Sequence, residues 1–567
     1  MFYFLFNFYS LISLFWLFFS ILSLYLSGLV MFINCSFEVL FILLDINSVK
    51  FTFSFMVDKY SLFFTFIILL ISSSVFFFCN SYMSGEVNSY RFIVLLSLFV
   101  ISMLMLVYSG NVLSLVLGWD GLGLVSFLLV IFYNNKGSLS GGVLTFLTNR
   151  FGDSVMILSL SLIFMNLNYS LDFTLFEEGM VGILFMISAI TKSAQFPFSA
   201  WLPSAMAAPT PVSSLVHSST LVTAGVFLLF RLSHLFLVHG YSLILFYSAM
   251  LTMLLASSSA LFEMDFKKVI ALSTLSQLSV MMMALSLGYT EVCYFHMVTH
   301  AMFKALMFLS AGSLMHGMFG SQDMRFKGGL SKFNPIISMS MLISLFSLSG
   351  LPFLSGYYSK DLIIELVLMS DYSLFLFFFL TLGFSLTLFY SLRMFLQGFF
   401  NYSSLSVAFF FIENSKVVFS LVGLMLGSVF GGSLINWFFL PCLVSINLSM
   451  GVKVSIFMIF FLSFFIFYFL NKVFYIKMGG VFVTSLVIKF FGSMWFLPFS
   501  SSQVFLNYPY LFGYYLFKVL DQGWLDYYSI TNFYFIVYKF NSVMNKPKFY
   551  LMILYFPIFL LLFFFFI

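Results

Sequence analysis

Long apolar runs of membrane-spanning length, each closed by a few polar residues, recur along almost the whole chain. They fall near 3–27, 55–79, 91–108, 111–133, 142–166, 180–200, 211–231, 241–262, 268–287, 292–315, 335–371, 373–397, 417–440, 452–475 and 548–567. A bilayer core needs about 20 consecutive apolar residues per helix, so each run predicts a membrane helix. The 335–371 stretch is too long for one and predicts two helices or one broken helix. With short loops the length accommodates about fourteen to sixteen such helices. The loops hold most of the remaining charge, as in Glu263-Met-Asp-Phe-Lys-Lys268 and Gln322-Asp-Met-Arg-Phe-Lys-Gly328. No soluble domain interrupts the series.

Composition agrees and narrows the class. Of 567 residues 62% are hydrophobic, 22% aromatic and 8% charged, against about 25% charged in a soluble domain. The net charge of +5 comes from singly scattered lysines and arginines, which suits anionic lipid and offers no basic run for nucleic acid. Cys35, Cys79, Cys293 and Cys442 are widely spaced with no C-x-x-C pair, so disulfide, zinc-finger and iron–sulfur readings lack support. No metal or cofactor site is expected. The N-terminal MFYFLFNFYSLISLFWLFF has neither the basic start of a signal peptide nor the arginine-rich character of a transit peptide, and predicts a retained first helix. The use of 87 Phe suggests a biased, AT-rich coding background.

Polar residues inside the apolar runs carry the chemistry. The segment KSAQFPFSAWLPSAMAAPTPVSSLVHSSTLVTAG, 192–225, sets Lys192, four prolines and His217 into lipid-like sequence. A lysine at bilayer depth costs about 2.5–3.5 kcal/mol on insertion scales, and prolines there free backbone groups that only protein or trapped water can satisfy. A second interruption is SLSGLPFLSGYYSKD at 347–361, with Lys360. Paired interrupted helices in two halves of a chain point to a transport site. Lysine precedes proline in the first and follows it in the second, an order that fits an inverted repeat.

Asp120 lies inside GWDGLGLVSFLLV (118–130), whose glycines allow close helix approach. Arg150 and Asp153, in NRFGD, share a helix face and read equally as a mutually neutralised structural pair or as part of a site. His296, His300 and Lys304 recur every fourth residue and lie on one slowly turning stripe. A zinc pair at His296 and His300 competes, but lacks a third ligand nearby and has Lys304 next in line. Each group alone reads as an ordinary hydrogen-bonded core residue or a snorkelling lysine. Eight together cost on the order of 20 kcal/mol before pairing, too much to retain without use. The set suits protons: burial weakens a lysine's hold on its proton, a nearby carboxylate restores it, and histidine titrates near neutrality. Nucleophile–base pairs and P-loops are absent from the sequence, so hydrolysis and ATP-driven transport are unsupported.

These motifs, with DFKKVIALSTLSQL, HMVTHAMFKAL, SGYYSKD and the later GSMWFLPF and DQGWLDYY, resemble the antiporter-like subunit 5 family of mitochondrial NADH:ubiquinone oxidoreductase, respiratory complex I. The resemblance is dense over 91–400, thin in the C-terminal arm and poor in the first 90 residues, which are short by one helix against longer relatives. It implies a multi-pass subunit of the mitochondrial inner membrane that translocates protons while other subunits pass electrons from NADH to ubiquinone. In the family a helix glutamate faces the first broken-helix lysine; the matching positions are Asp120 and Lys192, with one methylene less reach. The relay histidine maps to His217, the central groups to His296, His300 and Lys304, and the outer lysine to Lys360, with Asp153 near the same axis. NADH, flavin, iron–sulfur clusters and ubiquinone are expected on other subunits. The expected partners are membrane lipids and other membrane-arm subunits, especially neighbouring antiporter-like ones. The alternative is the large subunit of a multisubunit sodium/proton antiporter.

The expected fold is therefore an all-α polytopic membrane protein with two inverted repeats containing broken helices. It comprises N-terminal transmembrane helices (1–90), an antiporter-like core (91–400), additional transmembrane helices (401–500), a lateral amphipathic helix (501–547) and a C-terminal anchor (548–567). From its own residues, 501–547 also fits ordinary polar loops with a short buried helix. The resemblance favours the lateral helix.

Overall fold

A computed structural model of the chain describes residues 2–46, 49–165, 179–238, 240–318, 320–326, 329, 334–370, 374–400, 413–439, 447–454, 458, 461–466, 481–500, 504–527, 532–544 and 551–565. Among these, ten helices are long and apolar enough to cross a membrane, including Lys59–Tyr82, Ser89–Val107, Ser242–Phe262, Phe266–Ser286 and Thr290–Gly317. Gly179–Lys192 and Pro335–Ser349 are shorter apolar helices. The expected run near 142–166 belongs to the 30-residue helix Lys136–Met165. The run near 452–475, Cys442 and Lys546-Pro547-Lys548 lie wholly or largely outside the described residues. The chain divides into two compact units, Met1–Leu497 and Pro498–Ile567.

The expectation of helices alone over 1–90 is corrected by a hairpin. Strands Phe37–Ile46 and Val49–Val57 pair antiparallel, with a register shift between Ile42 and Leu44. The signal was the strict alternation Lys50-Phe51-Thr52-Phe53-Ser54-Phe55, which has a strand period and not a helical one. The second strand docks on the turn before the Asp120 helix. Met56 N–H donates to the Tyr108 carbonyl at 2.8 Å, Gly110 N–H to Ser54 O at 3.0 Å, and Asn111 Nδ2 to Thr52 Oγ1 at 2.7 Å. Asn111 also begins the helix Val112–Val130 in a capping box with Ser114.

Both interruptions are real breaks. The helix Gly179–Lys192 ends at its lysine; Ala194 then takes a positive φ of 55°, and the Thr191 carbonyl accepts from Ala194 N–H at 3.3 Å and from Trp201 Nε1 at 3.0 Å. In the second, Pro335–Ser349 ends on Gly350 at φ 84°, a left-handed cap natural to glycine, and Ser355–Met369 follows. The 335–371 run is thus two helices. Between the breaks, the helical span Thr210–Arg231 is buried as far as Leu229, and its stretch Ser213–Thr220 is wound as a π-helix around His217.

The three glycines of the Asp120 helix face different neighbours. A Cβ on Gly118 would lie 2.6 Å from Leu106 N, and one on Gly121 would lie 3.0 Å from Ser102 Cβ, both on Ser89–Val107. Gly118→Val is expected to destabilise the packed pair by about 1–3 kcal/mol, because backbone has to yield. Lower thermal stability of the purified membrane protein is the measure.

Within the C-terminal unit, the helix Val504–Leu516 runs into the π stretch Phe517–Leu525, and the helices Asn532–Met544 and Leu551–Phe565 follow. Tyr510, Phe512, Tyr534 and Phe535 are exposed. The last helix is wholly apolar apart from Tyr555, with Pro557 inside it.

Candidate functional site

The first cluster forms where three helices meet. Lys192, at the end of its half-helix, is 1% exposed and lies 3.6 Å from Asp153 Oδ1. Its ammonium donates to the Trp119 carbonyl at 3.3 Å and sits 4.9 Å from the centre of the Trp119 ring. Asp153 Oδ2 is also 3.5 Å from Arg150, which reaches Asp120 at 3.8 Å. The carboxylate in ion-pair contact with Lys192 is thus that of Asp153. Asp120, half-buried, belongs to the outer side of the cluster, beyond Arg150. Two carboxylates and two cations give the group a net charge of zero, as burial requires.

Gly123 explains the third glycine. A Cβ there would lie 3.3 Å from Lys192 Nζ and 3.8 Å from Asp153 Oδ2. Gly123→Ala is expected to press on this pair while leaving both charges in place. Whatever transport this pair carries, measured in sealed vesicles, should fall by about two- to tenfold, since small displacements of reacting groups are costly.

His217 is 1% exposed, with its ring 6.4 Å from that of Trp201. Neither ring nitrogen has a hydrogen-bond partner among the described residues, and the same holds for His300. His217 therefore joins no other site residue by a direct bond. Buried polar groups are normally satisfied, by water if not by protein.

The central and outer groups do meet. His296 and His300 stand one turn apart, ring centres 6.2 Å from each other. His296 Nδ1 shares a 2.9 Å hydrogen bond with Ser359 Oγ, beside Lys360, and Thr299 Oγ1 lies 3.1 Å from the same hydroxyl. Lys304, wholly buried near the middle of a 28-residue helix, donates to Ser273 Oγ at 2.5 Å. Among the described residues no carboxylate lies within ion-pair distance of it. Lys360 spans its own helix break: its ammonium donates to Thr387 Oγ1 at 3.0 Å and to the Leu348 carbonyl at 3.4 Å.

Residue reading passed over the hydroxyls that hold these lysines. Ser273, Ser359 and Thr387 look like any of the many serines and threonines in the chain, and no local pattern marks them. It also placed Lys267 among loop charges, whereas this side chain is 7% exposed and donates to the Ala208 carbonyl at 3.2 Å.

Fold and site together define a class: a polytopic membrane protein whose two broken helices flank a buried series of lysines and histidines. Comparison with known proteins specifies it. Residues 109–387 match the family model "NADH:quinone oxidoreductase/Mrp antiporter, TM", residues 43–93 that of the complex I chain 5 N-terminus, and residues 390–567 that of the NADH dehydrogenase subunit 5 C-terminus. NADH-ubiquinone oxidoreductase chain 5 of Locusta migratoria is 40% identical over 512 residues, 89% of each chain. That of Anopheles gambiae is 40% identical over 544 residues, 92% of each. A solved Mrp complex from Dietzia sp. DQ12-45-1b shares the fold at TM-score 0.68 and 24% identity, over 83% of this chain and 55% of that one. The chain belongs to the NADH-ubiquinone oxidoreductase chain 5 family.

Proposed function

We propose that this chain translocates protons as a membrane-arm subunit of mitochondrial complex I, in the inner membrane, coupled to electron transfer from NADH to ubiquinone in other subunits. The observation that carries the reading is Lys304, a lysine far from either end of its helix, wholly buried and held by a hydroxyl, with no counter-charge in ion-pair reach among the described residues. Such a group is costly in a membrane and is kept where its proton is used.

In the proposed route, the Asp120–Arg150–Asp153 group sets how firmly Lys192 holds its proton. His217 receives it and passes it to the Lys304 centre. His300, His296 and Ser359 connect that centre to Lys360, which releases it. The unpartnered nitrogens of His217 and His300 are the positions where water would complete the connection. The redox groups, flavin, iron–sulfur clusters, NADH and ubiquinone, belong to neighbouring subunits. The exposed aromatic helices of the C-terminal unit, Val504–Leu516 and Asn532–Met544, lie along neighbouring antiporter-like subunits, and Leu551–Phe565 anchors them in lipid.

The fold shared with an Mrp complex leaves the sodium/proton antiporter as the second reading. The chain 5 matches at both ends of this chain favour complex I. NADH-driven proton pumping by the enzyme carrying Lys304→Met tests the proposal; intact pumping rejects it.

A further inference from the structure

Lys304 and Lys360 are joined by a second set of polar groups besides the histidines. Ser273, which accepts from Lys304, is followed one turn along the same helix face by Ser276. Ser276 Oγ lies 3.0 Å from the Tyr390 hydroxyl, across to the helix Leu374–Phe395. Tyr390 is wholly buried, and one turn before it on its helix is Thr387, which accepts from Lys360 at 3.0 Å. In a chain with 87 phenylalanines, a buried ring that carries a hydroxyl here is a choice needing a reason, since burying that group is costly unless it is bonded.

We infer that Tyr390 carries a second proton connection between Lys304 and Lys360, through the hydroxyls of Ser273, Ser276 and Thr387 and parallel to the His300–His296–Ser359 connection. Hydroxyls suit this because each accepts a proton on a lone pair while giving up its own. The Lys304 ammonium loses one proton to Ser273, each following hydroxyl hands its own forward, and a neutral Lys360 amine takes the last. The net change is one N–H bond broken at Lys304 and one formed at Lys360, with every hydroxyl restored. The intervals Ser273–Ser276 and Thr387–Tyr390 are each one helical turn, and bridging water serves across such gaps. A single ordinary structural hydrogen bond between two helices is the competing account.

Assembled complex I in sealed vesicles carrying Tyr390→Phe, Ser359→Ala or both distinguishes them. Two parallel routes of similar capacity predict that either single change leaves about half the pumping, whereas the double change leaves less than about a tenth, below the roughly one quarter that two independent effects would leave. KM for NADH stays constant throughout. If the double variant pumps as well as Ser359→Ala alone, or if pumping falls only in proportion to the amount of assembled enzyme, the inference is wrong. Should Tyr390→Phe fail to assemble, Ser276→Ala removes the same hydrogen bond from the other helix, and the same comparison decides. The inference rests on the Lys304–Lys360 route proposed above. Normal pumping by Lys304→Met would end both. Loss of pumping there, with Tyr390→Phe adding nothing to the effect of Ser359→Ala, would end this one alone.

Discussion

Lys304→Met is expected to stop proton pumping while leaving the complex as stable as before, or more so. Methionine matches the lysine stem in length and apolar character but removes the charge. The lysine sits near the middle of a 28-residue helix, too far from either end to snorkel to water. Its ammonium has one side-chain hydrogen bond, to Ser273, and no ion pair among the described residues. Removing an unpaired buried cation relieves a cost of about 2.5–3.5 kcal/mol and leaves behind a serine that already donates to the Ile270 carbonyl at 2.6 Å. A structural lysine would show the reverse, with destabilisation on removal. Pumping and NADH:ubiquinone turnover measured together with thermal stability of the complex separate the two. Loss of a positioned proton carrier is worth about 10²–10⁴ in rate.

Lys192→Ala should behave differently, because this lysine is paired. It leaves Asp153, 3% exposed, facing Arg150 alone and gives the Asp120–Arg150–Asp153 group a net negative charge. Breaking a buried ion pair costs about 3–5 kcal/mol when the remaining charge is uncompensated, and Arg150 at 3.5 Å reduces that here. The expected result is a moderately less stable complex whose pumping falls at least about tenfold. Turnover falls with it if electron transfer is tightly coupled, and survives if it is not. Lys192→Arg is the informative companion. Arginine keeps the positive charge but does not release its proton, so it should restore stability without restoring pumping. Normal pumping and turnover in Lys192→Ala would make the lysine structural and end its place in the route.

The two predictions differ in sign for stability although both residues are buried lysines, and the difference was not legible from their surroundings in sequence. Lys192 stands in KSAQFP and Lys304 in HAMFKAL; neither string contains the carboxylate that decides the matter. Asp153 is 39 residues before Lys192. The family resemblance paired Lys192 with Asp120 and set Asp153 only near the same axis, whereas the contact is made by Asp153, 3.6 Å away, and Asp120 meets Arg150 instead. Each faces the same space from a different helix, and the choice depends on how far along their axes the helices Val112–Val130 and Lys136–Met165 are set.

The hydroxyl partners were hidden for a related reason. Ser273, Ser359 and Thr387 each bond a lysine or histidine from another helix. A serine in a membrane helix usually satisfies itself by donating to a carbonyl three or four residues back, as Ser279 and Ser340 do. Which serines also accept from outside is a property of the neighbouring helix. The hairpin at Phe37–Val57, by contrast, was readable from the alternation of its second strand and was masked by the strongly helical runs on either side.

By itself the sequence determined the membrane class, the positions of most spans, the two breaks and the presence of buried lysines and histidines. These follow from local quantities: the length of an apolar run, the reach of a proline or glycine over its own backbone, and the cost of a charge in hydrocarbon. The tertiary structure alone decided which carboxylate meets Lys192, that Lys304 is held by a hydroxyl with no counter-charge among the described residues, and that Tyr390 stands between Lys304 and Lys360. Those depend on the rotation and axial offset of one helix against another. Packing among many nearly uniform apolar surfaces sets both, and no single segment carries a record of either.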